Sequence, residues 1–345
     1  MQNFFTLTPE RILDAVEAAL DSGQTGVRAT GFALALNSIE NRVYEVGLDD
    51  GTSVVTKFYR PNRWSAEQIL EEHAFIKRLH EAEIPVVPPV PLTDSPRSQL
   101  AIQGAPCTLA RSDDGIFFTV FPKVRARLLD ELDDSQVRQI GRLLARLHAI
   151  GESPSLGPSL RTKVSVEPFL DRPLEILTAS KFLEGNWKTR YEAIVQTLRA
   201  RIAPMLEKVQ AHRLHGDCHP GNILWTPSGA PFFVDFDDML IGPAVQDLWM
   251  VVRGRDANAL KQRAELITAY EVFREFDYSQ LRLIEPLRAM RLVHYSAWIA
   301  NRWDDPSFPK LFPDFGSQKY WQDEIGALEE ILSLISAPTE DSFNR

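Results

Sequence analysis

The fold is decided by one polar loop and the short apolar run that follows it, His215-Gly216-Asp217-Cys218-His219-Pro220-Gly221-Asn222-Ile223-Leu224-Trp225. A second stretch, Val234-Asp235-Phe236-Asp237-Asp238, places a carboxylate thirteen residues after Asn222. Short apolar runs bounded by glycine and proline are typical of short strands. We therefore expect two short strand-like segments, at 223–225 and 232–236, that bring Asn222 and Asp235 near each other.

This pattern suits phosphoryl transfer from ATP. That reaction uses magnesium ions that bridge phosphate oxygens, and a carboxylate that accepts or orients the proton of the attacking hydroxyl. A carboxylate and an amide five residues apart on a tight loop, Asp217 and Asn222, can converge on one point, and Asp235 would complete an oxygen-rich site. Two alternatives are a polar turn with solvated acids and a zinc site. Cys218 and His219 are adjacent, which is not a usual zinc-ligand spacing.

The pattern H-x-D-x-x-x-x-N, followed by an aspartate before phenylalanine, resembles the catalytic and metal loops of protein kinases and aminoglycoside phosphotransferases. The resemblance implies that Asp217 is the catalytic base. It also implies that Asn222 and Asp235 bind Mg²⁺, with Asp235 counted among the catalytic residues and ATP as the phosphoryl donor.

Lys57 supports the same interpretation from a different part of the chain. Strand alternation over residues 53–59 places Val55, Lys57 and Tyr59 on one face. A lysine among apolar residues is costly unless its charge is paired. The kinase pattern supplies phosphates and a glutamate from the next helix. Of Glu71 and Glu72 we prefer Glu72, and we expect it in an open cleft that water reaches; a solvated helix face and a lysine that only snorkels remain alternatives.

The nucleotide's other contacts follow from the resemblance. Val55 would form the roof of the adenine slot and Leu224 its floor, although ordinary core packing explains both residues equally well. Protein kinases place a glycine-rich loop over the phosphates, but residues 36–42 contain no glycine, so their backbone approaches phosphate less freely. Ser38 is our candidate nucleotide contact there, with a simple hairpin tip as the alternative. Glu40 would repel phosphate unless it points outward.

The predicted secondary structure changes near residue 122. Before it, the sequence predicts several strands, a hairpin turn at Asp49-Asp50-Gly51 and one long helix over 65–81. After it, apolar residues recur at helical spacing near 137–147, 188–209, 257–275, 279–303 and 319–335. We predict an α+β, bilobal protein-kinase-like fold: an antiparallel-sheet N-terminal lobe over 1–122 that binds nucleotide, and a mainly helical lobe over 123–345. We expect 153–173 to be irregular.

Composition excludes several classes of protein. The net charge of −9 argues against a nucleic-acid partner. The two cysteines form no disulfide framework, which indicates a reducing compartment. No apolar run reaches the ~18 residues that span a bilayer. We expect a soluble cytoplasmic protein with no membrane partner.

Two departures from the protein-kinase pattern indicate which branch of the kinase-like fold the sequence resembles. Asp237 and Asp238 replace the expected glycine, and only eleven residues separate Asp235 from Asp247, so there is no room for a long activation loop. This resembles the aminoglycoside phosphotransferase and choline kinase branch. We expect Asp247 to anchor the catalytic loop rather than to take part in the chemistry.

Longer strings resemble one bacterial family, stress response kinase A of the RdoA type, from about residue 6 to about 321. They include Asn37-Ser38-Ile39-Glu40-Asn41-Arg42-Val43-Tyr44, Lys57-Phe58-Tyr59-Arg60-Pro61, Gln68-Ile69-Leu70-Glu71-Glu72-His73 and Glu285-Pro286-Leu287-Arg288-Ala289-Met290-Arg291-Leu292-Val293. This resemblance implies a monomeric, magnesium-dependent serine/threonine protein kinase that also autophosphorylates.

Two other functions remain open. One is a small-molecule kinase for an aminoglycoside, choline or another metabolite. A cationic substrate would be attracted by the acids and by an aromatic cage, for which the candidates are Asp237, Asp238, Asp304, Asp305, Trp298 and Trp303. Ordinary packing and solvated faces also explain these residues. The other is a nucleotide-binding scaffold without catalysis, favoured only by the glycine-free loop.

Overall fold

A computed structural model describes residue 4 and residues 7–20, 27–93 and 107–337. The N-terminal part is built on a five-stranded antiparallel sheet with the strand order β1-β2-β3-β5-β4. Its elements are α1 (Pro9–Leu20), β1 (Ala29–Ala35), β2 (Arg42–Leu48), β3 (Ser53–Phe58), α2 (Ala66–Glu81), β4 (Ala110–Arg111) and β5 (Phe117–Pro122).

Local sequence explains the hairpin and the long helix of this part. Gly51 takes a left-handed conformation (φ 81°) at the turn between β2 and β3, as the sequence predicts. The hydroxyl of Ser65 accepts a hydrogen bond from the backbone N–H of Gln68, whose side chain caps Ser65 in return. This capping box fixes the start of α2.

The two faces of the sheet have different neighbours. On the outer face, Phe58 and Val120 pack with Ile12 and Val16 of α1 in one apolar cluster. Because side chains alternate along a strand, Lys57 of β3 lies on the opposite face. That face is turned toward α2 and the C-terminal part, so the fold itself directs a charged side chain into the interior.

The C-terminal part is mainly helical, with two pairs of short strands. β6 pairs with β9 and β7 pairs with β8, both antiparallel. The elements are α3 (Asp134–Gly151), α4 (Arg172–Ala179), α5 (Gly185–Leu206), β6 (His212–Leu214), β7 (Ile223–Trp225), β8 (Pro231–Phe233), β9 (Leu240–Gly242), α6 (Val245–Val251), α7 (Ala257–Tyr270), α8 (Ile284–Asn301), α9 (Ser307–Leu311) and α10 (Gln318–Ser336).

The α+β class and the antiparallel sheet are therefore confirmed. The expectation that 153–173 is irregular was only partly right, since a short π-helix spans Glu167–Asp171 and continues into α4. We propose to divide the lobes between residues 122 and 123, because β5 ends at Pro122 and helices dominate the remainder. Among the described residues, no helix combines the length and apolarity needed to cross a membrane.

Candidate active site

Lys57 is surrounded by three carboxylates between the two lobes, of which two are buried and one, that of Asp235, is half exposed. Its Nζ is 2.9 Å from Asp235 Oδ1, 3.3 Å from Asp237 Oδ1 and 3.7 Å from Glu72 Oε1. Burial alone would lower the pKa of Lys57, but Asp235, Asp237 and Glu72 outweigh it and raise that pKa well above its usual value. Lys57 is therefore charged at neutral pH.

The structure separates the two glutamates of α2. Glu71 points to Arg213, whose Nε is 3.0 Å from Glu71 Oε1, whereas Glu72 faces Lys57. The side chain of Glu72 is only 1% exposed. The expectation that it lies in a water-filled cleft is wrong, because α2 packs this side chain against the sheet and Arg161 closes the other side at 3.9 Å. Burial raises the pKa of Glu72 to about 7.

Asp217 projects from the loop after β6 and contacts two cationic or potentially cationic groups. An Nη atom of Arg291, from α8, lies 2.8 Å from Asp217 Oδ1, and His219 Nε2 lies 3.4 Å from Oδ2. Burial would raise the pKa of Asp217, but the contact with His219 and the charge of Arg291 hold it well below its usual range. Asp217 is thus ionised at neutral pH and can accept a hydrogen bond from a hydroxyl.

The loop that carries Asp217 is anchored from below by a buried carboxylate. Asp247 accepts hydrogen bonds from the backbone N–H groups of His215 and Gly216, each 2.9 Å long. His148 Nε2 lies 3.1 Å from the same carboxylate. The anchoring position that the sequence suggested for Asp247 is confirmed. Gly216 is left-handed (φ 87°), and a Cβ there would lie 2.0 Å from the carbonyl oxygen of Asp238, so only glycine fits.

Asn222 and Asp235 are brought together by the pairing of β7 with β8. The backbone N–H of Val234 donates to the carbonyl of Asn222 (3.0 Å), and His215 Nε2 contacts the carbonyl of Val234 (2.9 Å). The amide nitrogen of Asn222 donates to the carbonyl of Asp217 (3.0 Å), which fixes the orientation of the amide. Asp235 takes a left-handed backbone conformation (φ 60°, ψ 67°), and its carboxylate is about half exposed.

These two side chains fit a magnesium ion. Both supply the hard oxygen atoms that Mg²⁺ prefers, and Mg²⁺ commonly takes one or two protein ligands together with phosphate oxygens and water. The carboxylate of Asp235 also contacts Lys57, so a metal ion and the lysine would meet at one point of the cleft.

Comparison with known proteins agrees with this geometry. The sequence profile of the phosphotransferase enzyme family matches residues 33–284. The chain belongs to the phosphotransferase enzyme family. It is 39% identical to stress response kinase A of Escherichia coli (strain K12) over 336 residues, covering 97% of this chain and 95% of that one. It is 38% identical, with the same coverage, to the serine/threonine protein kinase RdoA of Salmonella typhimurium. The resemblance to stress response kinase A is therefore confirmed.

A solved phosphotransferase has the same fold at low sequence identity. An amicoumacin kinase, in complex with AMP-PNP, Ca²⁺ and Ami, aligns with a TM-score of 0.65 at 17% identity, over 91% of this chain and 93% of that one. The bilobal kinase-like fold predicted from the sequence is confirmed.

The candidate nucleotide contacts of this phosphotransferase have the exposure that such a role requires. Val55 and Leu224 are both partly buried, Val55 in the middle of β3 and Leu224 in β7. Ser38 is partly buried in the loop 36–41 that joins β1 to β2. Their contacts with adenine and phosphate are part of the function proposed below.

The cationic-substrate cage does not form. Trp298 stacks on Tyr295 and contacts Phe308, whereas Trp303 packs on a different pair of rings, those of Phe182 and Phe315. The acids considered with these tryptophans are largely neutralised as well. Asp237 is paired with Lys57 and Arg63, Asp238 with Arg63, and Asp305 with Arg42 and Arg60.

Three arginines near the site were not found by sequence reasoning. Arg291 contacts Asp217, Arg63 pairs with Asp237 and Asp238, and Arg161 lies beside Glu72 and donates to the carbonyls of Asp237 and Met239. Isolated arginines outside the motifs carry no local signal of this role. Only Arg291 lay inside a string that resembled stress response kinase A.

Proposed function

We propose that this phosphotransferase is an ATP- and Mg²⁺-dependent serine/threonine protein kinase that also autophosphorylates and acts in a bacterial stress response. The supporting observation is the convergence of Lys57, Glu72 and Asp235 in one cluster, with Asp217 and Asn222 hydrogen-bonded to each other on one loop. The names of the relatives, stress response kinase A and serine/threonine protein kinase RdoA, support a protein acceptor.

Each residue has a role in this proposal. Lys57 binds phosphate oxygens, Glu72 holds Lys57, and Asn222 and Asp235 hold Mg²⁺. When bound, the metal ion neutralises charge on the transferred phosphoryl group. Asp217 orients the attacking hydroxyl and accepts its proton. Val55, Leu224 and Ser38 contact the nucleotide. We further propose a cytoplasmic monomer.

A metabolite kinase is the second candidate, and the paired acids weigh against a cationic substrate. Both Asp237 and Asp305 already have two arginine or lysine partners each. In addition, the guanidinium of Arg291 stands beside Asp217, where the acceptor hydroxyl must arrive. A positive charge at that position repels aminoglycosides and choline.

The deciding experiment incubates the purified protein with γ-labelled ATP and Mg²⁺, with and without a generic basic protein and a metabolite panel. We expect label in protein, including the enzyme itself.

Asp217→Ala should reduce transfer by ~10²–10⁴-fold, the usual contribution of a general base. Asp304→Ala, at an exposed position on the same lobe, is the matched control and should transfer normally. Label in a metabolite alone would replace the proposal with the second candidate, and an Asp217→Ala variant with more than half the activity would refute the role of Asp217.

The metal assignment has its own test. Asn222→Ala and Asp235→Ala should weaken ATP binding in the presence of Mg²⁺ but leave metal-free binding nearly unchanged, because the lost atoms bind the metal rather than the nucleotide. Calorimetric titrations with Mg²⁺ and with EDTA separate the two effects. Equal losses under both conditions would contradict the assignment.

A further inference from the structure

The loop 36–41, which lies where protein kinases have glycines, is held by a set of ion pairs that crosses between the lobes. At its centre is Glu40. Its carboxylate accepts hydrogen bonds from Trp298 Nε1 (2.6 Å) and from Arg302 Nε and Nη2 (2.6 and 2.7 Å). The carboxylate of Glu40 therefore points toward the end of α8, where Arg302 offsets its charge, and this explains how the loop tolerates an acidic residue.

A second contact fixes the backbone of the same loop. Arg60 donates to the carbonyls of Glu40 (2.9 Å) and Ile39 (3.2 Å), and its own backbone N–H donates to Asn41 Oδ1 (3.1 Å). The side-chain nitrogen Nδ2 of Asn41 donates to Asp237 Oδ2 (3.1 Å). The carbonyls of the loop are thus occupied on its outer side.

Asp305, in the segment after α8, adds two more ion pairs to this set, which we call the interlobe bridge. It lies 3.1 Å from Arg42 and 3.0 Å from Arg60. Glu40, Arg60 and Arg302 are each about 15% exposed, so water screens these pairs only weakly. Burial would raise the pKa of Glu40, but Arg63 and Arg302 lower it, so the bridge is charged at neutral pH.

One helix, α8, contacts both Glu40 of the interlobe bridge and the catalytic base Asp217. Arg291, Tyr295 and Trp298 lie on one face of α8, at spacings of four and three residues, and Arg302 follows directly after the last residue of this helix. Arg291 contacts Asp217 at one end of this face, and Trp298 with Arg302 holds Glu40 at the other. One rigid element therefore contacts both the catalytic loop and the loop 36–41.

We propose that Glu40 is a positioning residue for the nucleotide: its clamp to Trp298 and Arg302 holds the loop 36–41 over the ATP phosphates, where other kinases rely on glycine backbone contacts. This rests on the proposed ATP-dependent function. With the clamp closed, bound nucleotide is retained. With it broken, the loop lifts and nucleotide leaves faster.

The test measures dissociation of a fluorescent ATP analogue by stopped flow in the presence of Mg²⁺, and needs no phosphoryl transfer. Glu40→Gln keeps the shape of the side chain and removes its charge. Arg302→Met removes the partner's charge, and Arg302→Lys keeps it. We expect dissociation to be faster by roughly tenfold or more in Glu40→Gln and Arg302→Met, within the usual range of coupling between sites. Arg302→Lys should lie closer to wild type.

Glu152→Gln is the matched control. Glu152 pairs with Arg274 at 3.1 Å, and both residues belong to the helical lobe and are distant in sequence from the loop 36–41. Wild-type dissociation rates in both Glu40→Gln and Arg302→Met would overturn the proposal, as would an equal acceleration in Glu152→Gln. If Glu40→Gln fails to fold, the comparison of Arg302→Met with Arg302→Lys still decides. A wild-type enzyme that binds the analogue but labels no acceptor would refute the proposed function while leaving the clamp testable.

Discussion

At the scale of single residues, Lys57 has an environment that differs from the one expected. Three carboxylates surround it, and two of them, Glu72 and Asp237, are almost fully buried. Asp235 and Asp237 raise the pKa of Lys57 more than Glu72 does, and Glu72 is the farthest of the three. This explains why Lys57 has a raised pKa while burial still raises that of Glu72.

Lys57→Met should therefore abolish most activity and also lower stability. Methionine preserves the length of the side chain but leaves buried carboxylates without their cation, and breaking a buried pair costs roughly 3–5 kcal/mol. Because the affected carboxylates can take up protons at low pH, the loss should be smaller at pH 6 than at pH 8. Urea unfolding at both pH values, together with turnover, measures this. The control is Lys123→Met, which removes a partly exposed pair with Glu45 and should leave stability nearly unchanged. Normal turnover in Lys57→Met would contradict the phosphate-binding role of Lys57.

The residues that sequence reasoning found share a short motif, and those it missed do not. Asp217 and Asn222 are five residues apart, and Asp235 follows on the next strand, so local spacing indicated their convergence. Arg291 lies in α8 and Arg302 directly after this helix, both more than fifty residues beyond that strand. A charged residue on an amphipathic helix is usually solvated, so its pairing with Asp217 or Glu40 depends on tertiary packing that no local pattern encodes.

At the scale of elements, the presence or absence of an amphipathic pattern explains which helices the sequence predicted. α3, α5, α7, α8 and α10 present apolar residues at helical spacing, and the sequence predicted all of them. Every residue of α6 is buried, so it has no polar face and no amphipathic period. Yet α6 carries Asp247, which makes this short helix the support of the catalytic loop.

Asp247→Asn tests that support. Asparagine offers one oxygen where the loop needs two acceptors, so the amide group would face the N–H of His215 or Gly216. A buried N–H without an acceptor costs about 1–3 kcal/mol. We expect the free energy of unfolding to fall by about that amount and turnover to fall as the loop shifts, with ATP binding less affected. Urea unfolding and steady-state kinetics check this. Asp304→Asn, at an exposed site, is the control, and unchanged stability in Asp247→Asn would argue against the anchoring role.

At the scale of the whole molecule, buried histidines set the response to acid. His73 and His212 are both buried, and burial lowers their pKa values to about 3 and 2. Each is neutral in the folded protein but takes up a proton near pH 6.5 once the chain unfolds. Below that pH the unfolded state binds more protons than the folded state, so these residues favour unfolding as the pH falls.

His212 is the clearest case. It lies in β6 directly before the catalytic loop, its ring centroid is 4.9 Å from that of His148, and neither of its ring nitrogens has a hydrogen-bond partner within the described part of the chain. His212→Phe retains an aromatic ring and removes the proton site. Between pH 6.5 and pH 4 we expect the slope of the unfolding free energy against pH to decrease by about 1.4 kcal/mol per pH unit, the value for one proton. Denaturant unfolding across that range measures the slope, with His80→Gln, an exposed site on α2, as the control. If His212→Phe kept the wild-type slope, protonation of His212 would not contribute to acid unfolding, and the sensitivity would have to come from other groups such as His73.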